Sequence, residues 1–98
     1  MKQEVFNQYV EKVISLFNIQ KEEIFEKKKR RDIVDARQML YYLCHKRPMQ
    51  INYIQKFMRD SGYDVSHSSI IHGINNVSRK VLSDKDYLVA FKDIAKAV

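Results

Sequence analysis

The sequence predicts an all-α chain of about six helices, on three observations. Only two glycines and one proline interrupt 98 residues, so few points break a helix. Leu, Lys, Glu, Gln, Met and Ala, which lose little side-chain freedom in a helix, are plentiful. Apolar residues recur at spacings of three and four, and no stretch shows the two-residue alternation of a half-buried strand.

Each element has its own signal. Val5, Phe6, Tyr9, Val13, Leu16 and Phe17 share one helical face, which predicts a first helix over Gln3 to Phe17, with Asn18 as its stop. Lys21 to Glu26 is a short second helix. Asp32 stands where a cap would start the third, with Asp35 in the place of a capping-box acid. Ala36, Leu40, Leu43 and Cys44 give that helix a buried stripe as far as about His45. Pro48 separates it from a fourth, whose apolar face is Ile51, Ile54, Phe57 and Met58. In the turn "DSGYD", Gly62 is the expected positive-φ residue. Ser66 caps a fifth helix that buries Ile70, Ile74, Val77 and Val81, with Ile71 flanking them as a further anchor. Its opposite face carries Ser68, His72, Asn75 and Arg79, with Ser69 and Asn76 beside them. Ser83 is the expected cap of a last helix. Asp84 and Asp86 sit at the positive end of its dipole, and Leu88, Phe91, Ile94 and Ala95 form its packing face.

The length suits one domain over residues 1–98. No apolar run approaches membrane-spanning length, and no signal-peptide pattern opens the chain. The single cysteine excludes an internal disulfide and fits a reducing compartment, so a cytoplasmic protein is expected. The net charge of +6 favours a polyanionic partner. Five consecutive cations, Lys27, Lys28, Lys29, Arg30 and Arg31, form either a solvated loop or an arm that neutralises phosphates.

Catalytic and metal chemistry fit poorly. Cys44 and His45 are adjacent on a helix, so their side chains diverge by about 100° and cannot pair. The serines around His67 lack a glycine-rich elbow or a third member. His67 and His72 lie about 140° apart around a helix, and no paired cysteines accompany them. No enzyme activity, metal or other cofactor is expected. The fourth and fifth helices, by contrast, form two short helices joined by a turn. The polar face of the second carries donors and acceptors suited to base edges or phosphates. An ordinary amphipathic surface helix would show the same polarity. Gly73, inside that helix, marks a close approach, either by a packed helix, the favoured reading, or by a nucleic-acid backbone.

Two stretches, "KKKRRDIVDARQMLYYL" and "VSHSSIIHGINNVSRKV", resemble the C-terminal DNA-binding domain of the bacterial replication initiator DnaA. That family has a basic loop, then a helix with an Arg-Gln-Met step, here Arg37-Gln38-Met39. It also has a signature of the form Asp-His-Thr-Thr-Val-Leu-His-Ala, here Ser66 to Gly73. The lead-in "LFNIQKEEIF" is similar too, and the resemblance covers roughly residues 5 to 82.

The resemblance implies a helix-turn-helix that binds a short double-stranded site, possessing no enzyme activity of its own. The signature helix would enter the major groove and the basic loop the adjacent minor groove. Carried over by position, His67 and Ser68 contact bases, joined by Ser66, and Ser69 contacts a phosphate. Arg37 and Gln38 hold the backbone. Counting back from Arg37 puts Lys29 at the minor-groove position, with Arg30 or Arg31 as alternatives. Lys27, Lys28, Arg31, His72, Asn75 and Arg79 are expected on phosphates. Periodicity leaves one alternative open, in which His67 packs on the preceding helix while His72 and Asn75 read the bases.

The chain departs from the family in three ways. Serine replaces the acid at position 66. The turn "MRDSGYDVS" is longer than the family's glycine-glycine turn. No phosphate-binding "GxxxxGK" loop is present, so no nucleotide partner is expected and the chain reads as a free-standing relative. The expected function is sequence-specific binding of double-stranded DNA, in replication initiation or its regulation. The alternatives are a phage or mobile-element transcriptional regulator, or a protein-interaction adaptor on the same fold. RNA binding is weaker, because Tyr and Phe fall mostly on packing faces.

Overall fold

A computed structural model describes residues 1–98 as six helices with no strand. They are α1 Lys2–Phe17, α2 Lys21–Ile24, α3 Arg31–Lys46, α4 Ile51–Asp60, α5 His67–Ser83 and α6 Lys85–Ala97. No helix is long and apolar enough to cross a membrane.

α3 is the spine, in contact with all five other helices. From Met39 to Cys44 every residue of it is buried, so it lies inside a shell rather than on a surface. A single core of 21 buried residues includes Phe6 and Val10 of α1, Leu40 of α3, Met58 of α4 and Ile70 and Val77 of α5. Each such large aliphatic or aromatic side chain contributes about 1.5–3 kcal/mol by leaving water. Phe6 stands between Phe25 and Phe57, with ring centroids 6.5 and 5.3 Å away, joining α1 to the segment after α2 and to α4. α6 is seated by Phe91, whose ring meets Tyr42 edge-on at 4.9 Å. Burial pushes the Cys44 thiol well above its ordinary pKa, so it is a protonated core group and not a nucleophile.

Helix ends follow local chemistry. Asn18 closes α1 in the left-handed region, at φ 54°. The Asn18 and Ile19 N–H groups donate to Ser15 and Ile14, the paired bonds of a Schellman close. Gly62, at φ 107°, closes α4 in the same way, with Gly62 and Tyr63 donating to Arg59 and Met58. Space around Gly62 is open, so backbone conformation alone requires glycine there. Ser66 caps α5, accepting the Ser69 N–H at 3.1 Å.

Several local expectations shift. α3 begins at Arg31, so Asp32 is already inside the first turn, where it accepts the Ile33 N–H. Asp35 closes no capping box and instead meets Lys80 of α5 at 3.5 Å. Asp84, not Ser83, caps α6 by accepting the Asp86 N–H, and Ser83 finishes α5 by donating to the Arg79 carbonyl. Ile71 is not an anchor: it is 43% exposed, while Ile70 beside it is fully buried.

Gly73 is where α5 comes closest to α3. An added Cβ would stand 3.0 Å from Gln38 Cγ and 3.0 Å from Tyr41 Cδ2. Helix packing is therefore the reason for this glycine. Alanine would gain about 1 kcal/mol of helix propensity. It would also force the buried Tyr41 ring aside, at about 1–3 kcal/mol. Gly73→Ala is expected to lower unfolding free energy by about 1 kcal/mol, read from the urea midpoint at unchanged slope.

Candidate nucleic-acid interface

The five cations of the sequence run sit on the connection from α2 to α3, and one buried residue holds that connection in place. Arg37, on the second turn of α3, is the only charged residue in the interior, at 5% exposure. Its Nε donates to the Ile24 carbonyl at 2.7 Å. Nη1 donates to Lys28 O at 3.3 Å, and Nη2 to the carbonyls of Glu23 and Glu26. The guanidinium also lies over the Tyr63 ring, 4.4 Å from its centroid. The planar fork thus satisfies the end of α2 and the loop beyond it. It also explains why α2 stops at Ile24 rather than Glu26. Arg37, expected on a phosphate, turns its donors to these backbone carbonyls and is nearly buried, at the base of the cleft between the loop and α5.

The clamp leaves the cations of the run in unequal states. Arg30 pairs with Asp32 at 2.7 Å and Glu23 at 3.1 Å. The Arg30 hydrogen bond holds the Asp32 carboxyl below its ordinary range. Lys28 faces Glu26 at 3.7 Å. Lys27, Lys29 and Arg31 are exposed and make no ion pair.

Across from the loop stands the start of α5. His67, Ser68 and Ser69 are all exposed, as are His72 and Asn75 further along. Ser66 Oγ donates to Ser69 Oγ at 3.1 Å while accepting the Ser69 N–H. Between loop and helix lies an open cleft of about 460 Å³. Lys27, Lys28 and Lys29 form one wall and Ser68, Ser69 and His72 the other, over a floor that includes Val34, Gln38 and Tyr41. Burial pushes the Tyr41 phenol well above its ordinary pKa, so the floor adds no negative charge. A second hollow beside it brings Lys29 and Arg31 next to His72, Asn76 and Lys80.

Asn76 organises this face, and the sequence reading gave it only a place beside the polar stripe. Its amide nitrogen reaches Gln38 Oε1 at 3.4 Å and His72 Nε2 at 3.2 Å, and its oxygen accepts from Arg79. Tyr63 is the other participant that sequence reasoning missed. Its signal was its place directly after the turn glycine, where an apolar residue commonly folds back on its helix. Asn75 and Arg79 are exposed, and no three His, Cys, Asp or Glu side chains are placed to hold a metal ion.

A family model described as the bacterial DnaA protein helix-turn-helix matches residues 7–77, from the first turns of α1 into α5. No curated protein matches the chain.

The Arg37 clamp makes a specific demand on stability. Hydrogen bonds from a charged donor are worth about 1.5–3 kcal/mol each, less the desolvation of the cation. Arg37→Ala is expected to lower stability by about 3 kcal/mol, and Arg37→Lys to recover less than half of that, by thermal or urea unfolding. Amide exchange should quicken at residues 25–30 in both variants.

Proposed function

The chain belongs to the bacterial DnaA helix-turn-helix family, a DNA-binding domain, and we propose that residues 1–98 form one domain that reads a specific double-stranded site. The observation that carries this reading is convergence. A clamped basic loop and the exposed start of a helix with a polar outer face form the two walls of a single cleft.

In the proposed complex the first turn of α5 enters the major groove, where His67 and Ser68 meet base edges. Ser66, whose hydroxyl shares a hydrogen bond with Ser69, stands where the family has an acid and joins them at the groove. Lys29 is the minor-groove residue by its place counted back from Arg37; Arg30 is bound to two carboxylates, whereas Lys29 and Arg31 make no ion pair. Lys27, Lys28, Arg31, Gln38, Ser69, His72, Asn75 and Arg79 hold phosphates. These contacts set position and salt dependence, while the groove contacts set sequence. Replication initiation or its regulation is the proposed setting, on family membership.

Unbiased selection of duplexes at about 0.15 M salt tests the proposal. A single motif should be enriched. The logarithm of affinity should fall with the logarithm of salt at about 0.9 per phosphate neutralised. Lys27→Ala and Arg31→Ala should each weaken all duplexes alike and reduce that slope by about one. His67→Ala and Ser68→Ala should cost about 1–3 kcal/mol and relax preference at particular base pairs. A protein that enriches no motif and ignores salt refutes it.

A further inference from the structure

Two large apolar side chains stand exposed on α5, Ile71 near its start and Leu82 near its end. Ile71 is 43% exposed at the fifth position of the helix. At 100° per residue the buried Ile70, Gly73, Ile74 and Val77 define the inner side of α5. Ile71 lies outside that arc. It sits one turn beyond His67 and Ser68 and one turn before Asn75, all exposed. Its position along the axis is about 6 Å past His67, at 1.5 Å per residue. It is thus an apolar spot ringed by donors and acceptors, at the depth where a helix entering by its N-terminal end still meets base edges. Leu82, 86% exposed, shares roughly the same side. It stands about 16 Å further along the axis, beyond a groove about 12 Å wide.

Resting on the DNA-reading proposal, we propose that Ile71 is a specificity-determining residue that packs on the 5-methyl group of a thymine in the major groove. The methyl is the one apolar feature that B-DNA presents there, and it marks thymine against cytosine. The polar side chains around Ile71 bond to neighbouring edges and phosphates, while Ile71 removes the methyl from water. Burial of one methyl is worth about fourfold in affinity.

The test uses the duplex selected by the wild-type chain, with each thymine replaced singly by deoxyuridine, which deletes only the 5-methyl group. One replacement is expected to weaken wild-type binding about fourfold. Ile71→Ala should bind the unmodified duplex about fourfold more weakly, with an unchanged salt slope. At that same position it should lose less than about 1.5-fold on the uracil exchange. Ile71→Gln, which keeps a long side chain without the apolar tip, should change the preferred base pair there. Retained binding with no uracil-sensitive position, or with equal sensitivity in Ile71→Ala, overturns the Ile71 assignment and leaves the DNA-reading proposal standing. Absence of any selected duplex overturns both.

Discussion

A single buried guanidinium organises the face of this protein on which function depends. Five adjacent cations repel one another, and a loop that carries them would otherwise spread in water. Arg37 prevents this from below. It ties carbonyls at positions 23, 24, 26 and 28 to the second turn of α3 and rests on Tyr63. Neutral carbonyl dipoles and an aromatic face replace the water that the cation loses, and no carboxylate cancels its charge. The positive potential of the loop is therefore kept while its path is set. Lysine cannot take this role, since a compact ammonium does not span a fork of acceptors.

α3 also sets the opposite wall. Gly73 lets α5 approach until Gln38 and Tyr41 touch its backbone side, and Asn76 then links Gln38 to His72 and Arg79. Arg37 and Gln38 are consecutive residues on one buried helix: one holds the loop, the other meets α5. The spacing between the two walls is thus referenced to a rigid element rather than to two independent surface segments. Such preorganisation spares a binding protein the ordering cost that a free basic arm would incur on each encounter.

Helix count, the left-handed residue at Gly62, the Ser66 cap and the stop at Asn18 were legible because each depends on a few neighbouring residues. The core stripe of α5 was equally plain from its period. Two of the misread points, Arg37 and Asp35, turn on partners distant in sequence. Arg37 looked like one more surface cation, because nothing within its own helix shows that carbonyls 9 to 14 residues earlier surround it. Asp35 resembled a capping acid until Lys80 was found opposite it. Ile71, expected to flank the stripe as a further anchor, lies at an angle that leaves it outside the buried arc. Asp84 took the cap from Ser83 because α5 ran on through position 83 before the chain turned.

The central claim is that loop and helix act as one surface, and amide shift mapping on addition of the selected duplex tests it most directly. The account predicts perturbations at Lys27 to Arg31 and from His67 to Arg79, titrating together with one dissociation constant. Residues 85–97 of α6 should stay unmoved. Shifts centred on α6, or loop and α5 signals that titrate with different constants, would contradict it.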